Sequence, residues 1–417
     1  MLKKFIFSIF VFLSIGVIYV NASVNSLVKI GNNYYDSLEE AILNASSTDI
    51  INLISNVNLD KSLEINKTVN INLNGHDIMA PEMVFQVQGG VLNLTGKGTI
   101  KESKPNLGAI VVKGSNNAND KDYSVVNVSK DVTLEGWSGI FVNHDNNKAY
   151  GVVVNLDGKI NSVNDTGGGE GIGVYVNGNI QHKDNVPIIN IKDNAVIFST
   201  GNGLYLAGNT ITNIGKAHIT GVESGIGMKA GKLNIDGATV ICTGEDKTPT
   251  EGYNNGINAS GVTIQVESNT GYANNMEINI SDGDFISNNS NVFYEYIGKG
   301  DSSLVNDVNI SGGSFLSKTN KNVFLLSNSF KGLHSNFITG GSYSSDPSSY
   351  LKSGYSASLE NDMYNVTKSS AKLVNSDSVA VSGGGNVVGT ISIVLVLAIL
   401  VIIAYFNRNK ILNLFKK

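Results

Sequence analysis

The chain has 417 residues, 41% of them hydrophobic, with 46 glycines, 5 prolines and 1 cysteine. That length can bury a substantial core, and a lone thiol excludes an internal disulfide framework. Setting aside the basic residues at the two ends (Lys3, Lys4, Arg408, Lys410, Lys416 and Lys417) leaves 24 lysines against 35 carboxylates. The resulting net charge of −11 is the wrong sign for a nucleic-acid reader and favours cationic or neutral partners.

Lys3 and Lys4, the apolar run 5–20 and the small-residue site Val20-Asn21-Ala22 read as a secretory signal peptide over residues 1–22. Residues 23–50 are expected to form an N-terminal cap. A strand is predicted at 28–30, and Ser37-Leu38-Glu39-Glu40 is a capping box that opens a helix over 38–44. Leu38, Ala41, Ile42 and Ala45 fall on one stripe of that helix, which gives it an apolar face to lay over the first open sheet edge.

From residue 51 to about 340 one pattern recurs: an apolar residue, an asparagine and an apolar residue, followed by a Gly, Asp or Asn turn signal. The copies are Ile51-Asn52-Leu53, Ile71-Asn72-Leu73, Leu92-Asn93-Leu94, Val126-Asn127-Val128, Val154-Asn155-Leu156, Ile189-Asn190-Ile191, Leu233-Asn234-Ile235, Ile278-Asn279-Ile280 and Val308-Asn309-Ile310, with a degenerate Thr212-Asn213-Ile214. Alternation turns both apolar residues of each triplet to one face and the Asn to the other. A second strand follows in most repeats, opened by glycine, as in residues 108–112, Gly139-Ile140-Phe141-Val142, Gly173-Val174-Tyr175-Val176, Gly203-Leu204-Tyr205-Leu206, Gly225-Ile226-Gly227-Met228 and Gly256-Ile257. Repeats this short cannot bury their own apolar faces, so they must stack. The fold class is therefore all-β, a parallel β-helix solenoid with two or three short strands per coil. Stacking also brings Phe141, Tyr175 and Tyr205 together as an outward aromatic row, a candidate for ligand binding.

Residues 341–367 are expected to close the last coil, with a short helix near Asp346-Pro347-Ser348-Ser349-Tyr350-Leu351 and a hairpin turning at Asn361-Asp362. Residues 368–387, rich in Ser, Gly and Val, read as a flexible stalk. Residues 388–406 carry no charge over a length that spans the ~30 Å hydrocarbon layer, a single transmembrane helix. The basic tail 407–417 is then cytoplasmic and the solenoid extracellular.

The opening Tyr35-Asp36-Ser37-Leu38-Glu39-Glu40-Ala41-Ile42, leading to Asp49-Ile50-Ile51-Asn52-Leu53, and the closing segment from Gly340-Gly341-Ser342-Tyr343-Ser344-Ser345-Asp346-Pro347 to Gly354-Tyr355 resemble right-handed parallel β-helix domains on surface proteins of Gram-positive bacteria. The resemblance covers about residues 26 to 367 and implies a right-handed, pectin-lyase-like architecture without implying lyase activity.

Enzymes of that architecture use calcium-bound carboxylates with a basic residue, or paired aspartates. The only arginine is Arg408, outside the repeats, and the Asn-Thr-Asp, Asp-Asp, Gly-His-Gly and Arg-x-Lys set is missing; Gly75-His76-Asp77 and Asn164-Asp165-Thr166 are its nearest fragments. The histidines at 76, 144, 182, 218 and 334 show no metal-ligand spacing. Asp282 and Asp284 around Gly283, and the 165–170 segment, read as turns, and Cys242 as a small buried hydrophobe. The expectation is a membrane-anchored, adhesin-like solenoid that binds an extracellular glycan or protein, without catalysis, cofactor or metal. A surface polysaccharide lyase or glycoside hydrolase, and a plain structural spacer, are the alternatives.

Overall fold

The computed structural model describes residues 26–143, 148–247, 259–273 and 276–369. The signal peptide, the 388–406 span and the strand at Gly256-Ile257 lie outside these residues. Among the described residues no helix is long and apolar enough to cross a membrane.

A full coil contributes three parallel strands, for example Ser124–Val128, Val132–Gly136 and Ser138–Val142. The first and second strands of successive coils belong to one 23-stranded sheet, because Gly231–Cys242 and Met276–Ser287 run from the first column into the second. The third strands form a separate sheet of 10 parallel strands. Alternation explains the packing: in the example coil Val126, Val128, Val132, Leu134, Ile140 and Val142 are all buried, and they join one continuous interior core. The chain is thus a β-helix-like solenoid.

The recurrent glycine at the start of the third strand has a steric cause. A Cβ on Gly139 would stand 2.6 Å from Ile160, one on Gly203 2.4 Å from Ile219, and one on Gly225 2.5 Å from Val240. Inward aliphatic side chains of the second column occupy the space, so any side chain there would force the two sheets apart.

On the outer side of the first column the asparagines form an amide ladder. Asn93 donates from Nδ2 to Oδ1 of Asn70 at 2.7 Å, Asn127 to Asn93 at 2.6 Å, Asn155 to Asn127 at 2.8 Å, and Asn190 to Asn155 at 2.9 Å. The chain continues from Asn213 to Asn190, Asn234 to Asn213, Asn279 to Asn234 and Asn309 to Asn279. The triplet Ile71-Asn72-Leu73 is a correction: Asn93 pairs in register with Asn70, whereas Asn72 aligns with Asn52 and Thr95. Residues 69–73 hold two overlapping triplets, and the following coil takes Val69-Asn70-Ile71. Asn72 bonds Asn52 instead, at 3.0 Å.

The front is closed by Val28–Ile30 and Asn33–Tyr35, an antiparallel hairpin, and by the helix Leu38–Asn44, whose Leu38, Ala41 and Ile42 are buried. Ser37 Oγ accepts from the Glu40 amide at 3.1 Å. At the rear, a 3-10 turn Ser348–Tyr350 precedes the hairpin Tyr355–Glu360 and Met363–Lys368, with Asn361 and Asp362 at positive φ. Lys368, expected to begin the stalk, completes this hairpin. A helix Asn328–Leu333, capped by Ser327, was not expected from the sequence; it buries Phe330. The rear core is aromatic: Phe285, Phe315 and Tyr343 stack with centroids 4.7 and 4.9 Å apart.

Candidate binding cleft on the outer sheet

Phe141, Tyr175 and Tyr205 lie on the third-column strands Ser138–Val142, Ile172–Val176 and Asn202–Leu206. Their neighbours Ile140, Val174 and Leu204 fill the interior, so the rings project outward. They are in register coil on coil, with centroids 4.3 Å apart for Phe141 and Tyr175 and 5.0 Å for Tyr175 and Tyr205. Trp137 joins from the preceding corner, 5.7 Å from Tyr175. Its backbone amide donates to the buried carboxylate of Glu102, which also accepts from the amides of Asn106 and Leu107. A carboxylate can stay buried without a cation when several amides converge on it.

The next coil breaks the row, since Gly227 takes the register position after Tyr205. Lys229 reaches over instead, its Nζ 5.2 Å from the Tyr205 centroid and 5.0 Å from that of Tyr272. Tyr272 follows the strand Val262–Asn269 and accepts from Lys229 Nζ at 3.4 Å. Lys229 is ion-paired with Glu267, and their side chains are 2% and 0% exposed. Ile172, Tyr205, Ala207 and Tyr272 make a second hydrophobic cluster outside the main core, with Trp137 and Tyr175 packed on it. Phe141 and Tyr205 are buried, and Tyr175 is half-buried.

A cleft of about 510 Å³ opens beside this cluster, between Tyr175 and Tyr272. Asn177, Asn179 and Asn269 contribute amides to its wall, and among the described residues Lys299 is its one charged lining residue. The amides are held: Asn177 Oδ1 accepts from the Asn179 amide at 3.1 Å, Asn143 donates to Asn179 at 2.8 Å, and Asn269 Oδ1 accepts from the Gly271 amide at 2.9 Å. Burial, and then the neighbouring Tyr272, push the Tyr175 hydroxyl up to about 12. Burial raises the Tyr272 hydroxyl too, with Tyr205 adding to the effect and Lys229 opposing it. The cleft therefore offers neutral phenols, fixed amides and one exposed ammonium group, a set that suits a polar ring with an apolar face.

A larger groove, about 640 Å³, follows the amide ladder past Asn190, Asn213, Asn234 and Asn279. Among the described residues no aromatic side chain lines it, and its amides bond one another along the column.

The other sequence candidates stand apart. His182 contacts the carbonyls of Asp184 and Lys148 and packs on Tyr150, and His334 contacts the carbonyl of Val305. His76 and His218 lie on separate coils, and His144 is outside the described residues. Asp77 accepts from the Thr99 amide and Asp165 from the Gly169 amide, both backbone roles. Asp282 and Asp284 do not sit in a free turn but within the strand Met276–Ser287, where the register shifts. Among the described residues, no three His, Cys, Asp or Glu side chains are placed to hold a metal ion. Cys242 is fully buried, in register with Gly221 before it and Ser287 after it, and burial raises its thiol to about 11.

Sequence reasoning found the three stacked rings and missed what covers them. Lys229, Glu267, Asn269 and Tyr272 carry no motif, and their only signal is an outward place in an alternating strand or the turn after one. No protein-family model matches the chain, and no significant match to it exists among the curated proteins or the solved structures.

Proposed function

We propose that this chain is an extracellular, membrane-anchored, adhesin-like protein whose solenoid is wound right-handed in the pectin-lyase-like manner and binds glycans at the cleft between Tyr175 and Tyr272. The reading of the ends rests on the apolar segments 5–20 and 388–406 and the basic residues beside them. The surface location agrees with the resemblance to Gram-positive β-helix proteins. The binding role rests on one observation above others: a half-buried tyrosine and a second tyrosine flank a cleft of saccharide size whose amides are held in place by hydrogen bonds. Sugars present apolar C–H faces to aromatic rings and hydroxyls to amides, so such a site recognises them without needing charge. Binding without turnover is favoured because, among the described residues, no carboxylate lines the cleft to serve as a general acid or base.

A printed glycan array probed with the purified protein tests this. The expected result is a defined set of bound glycans, each lost when Tyr175 is replaced by alanine. Binding that is undiminished in Tyr175→Ala, or no bound glycan at all, would remove the cleft from consideration and leave a protein partner or a spacer role.

A further inference from the structure

We infer that Lys229 and Asn269 are joined by an intramolecular isopeptide bond that Glu267 promotes. The three residues are 2%, 4% and 0% exposed. Burying a lysine and a glutamate together costs more desolvation than their attraction reliably returns, so the pair calls for a reason beyond stability. The arrangement supplies one. A single carboxylate holds both reactants: one oxygen of Glu267 meets Lys229 Nζ, and the other accepts from Asn269 Nδ2 at 2.7 Å. The Asn269 carbonyl oxygen accepts from the Gly271 backbone amide at 2.9 Å, where a donor stabilises developing negative charge if Cγ is attacked. Lys229 Nζ lies against the rings of Tyr205 and Tyr272, an apolar setting that favours its neutral amine.

The chemistry balances without any added reagent. The Lys229 ammonium passes a proton to Glu267, giving a neutral amine and a neutral acid in an apolar pocket. Nζ then forms a bond to Cγ of Asn269, and the oxygen held by Gly271 takes the charge. Glu267 protonates Nδ2, the Cγ–Nδ2 bond breaks, and ammonia leaves. The new amide nitrogen returns its surplus proton to Glu267. One ammonia is lost, one secondary amide is gained, and no oxidant or reductant takes part. Asn269 and Gly271 both line the cleft of about 510 Å³, which gives the ammonia a way out.

The product would tie the end of the strand Ser224–Met228 to the end of Val262–Asn269, its neighbour in the next coil, and would close the intervening residues 230–268, among them the strand Gly231–Cys242, into a covalent loop. It would also fix the turn that carries Tyr272. Glu267 is a catalytic residue on this account, since it touches both reacting groups.

Intact-mass spectrometry of the full chain, followed by peptide mapping, decides the matter. The expected result is a folded protein one ammonia lighter than its processed sequence, with a branched peptide joining Lys229 to Asn269. Glu267→Gln should restore the full mass, and Asn269→Asp should retain the link with loss of water in place of ammonia. The wild-type measurement stands even where a variant fails to fold. A full-mass protein with no branched peptide would overturn the proposal, and so would an ammonia loss that persists in Lys229→Arg, because that loss would come from an asparaginyl-glycine turn elsewhere.

Discussion

The amide ladder and the tyrosine-lined cleft lie on different sheets of the same coils, and they are built on opposite principles. The ladder repeats one residue at one register position from Asn70 to Asn309, and each rung satisfies the next. The cleft uses the same stacking for three coils, then abandons it at Gly227 and recruits Lys229 from the end of that strand, and Glu267 and Tyr272 from the strand Val262–Asn269 and the turn after it. Repetition yields a self-satisfied surface with little left over for a ligand. Interruption yields a cavity and a buried ion pair.

The sharpest way to break this contrast is at the buried pair. Glu267→Ala leaves an uncompensated charge under the tyrosines and is expected to cost about 3–5 kcal/mol, seen as a large loss of thermal stability by calorimetry. In the ladder, Asn190→Ala removes the bond to Asn155 and the bond from Asn213. At about 0.5–1.5 kcal/mol per hydrogen bond the cost is about 1–3 kcal/mol, and terminal Asn309→Ala, with one ladder bond, should cost less by denaturant titration. A ladder in which the central and terminal substitutions cost the same would refute a stabilising role for the ladder bonds.

Alkaline titration separates the two surfaces further. The folded-state values of Tyr175 and of Tyr294, on the third-column strand Phe293–Lys299, are raised to about 12, mainly by burial, so both favour the neutral form in the native state. Their contribution is complete below the ordinary value of 10 and is lost as pH rises toward 12. Melting temperature should therefore fall through that window, and Tyr175→Phe should flatten part of the fall. The smallest effect is expected at Cys242→Ser. Serine already fills the matching place at Ser287 and Ser317 and donates from there to backbone carbonyls, so stability should change by less than about 1 kcal/mol. The native thiol should resist alkylating reagents until the protein unfolds.

The periodic half of this molecule was readable in advance because its causes are local. Alternation fixes which side of a strand is buried, a Ser-x-x-Glu box fixes where the helix Leu38–Asn44 starts, and paired Asn-Asp residues fix the rear hairpin. The slip at Asn72 arose where two triplets overlap, since local pattern alone cannot choose between registers two residues apart. The helix Asn328–Leu333 escaped notice because it is under two turns long and buries only Phe330. In the candidate site, Phe141, Tyr175 and Tyr205 were visible as a row, but their cover was not. Tyr272 meets Tyr205 from the turn after Val262–Asn269, two coils further on, and no spacing in the chain encodes that meeting.

The ladder has one more consequence. Every rung donates toward the front of the solenoid and accepts from the rear, so the column has a sense of direction and no built-in length. Duplicating or excising one whole turn would leave the rungs on either side with a correct new neighbour, whereas a fraction of a turn would strand an amide. The span of this protein can therefore change only in unit steps of a single coil, like a ruler cut at its markings.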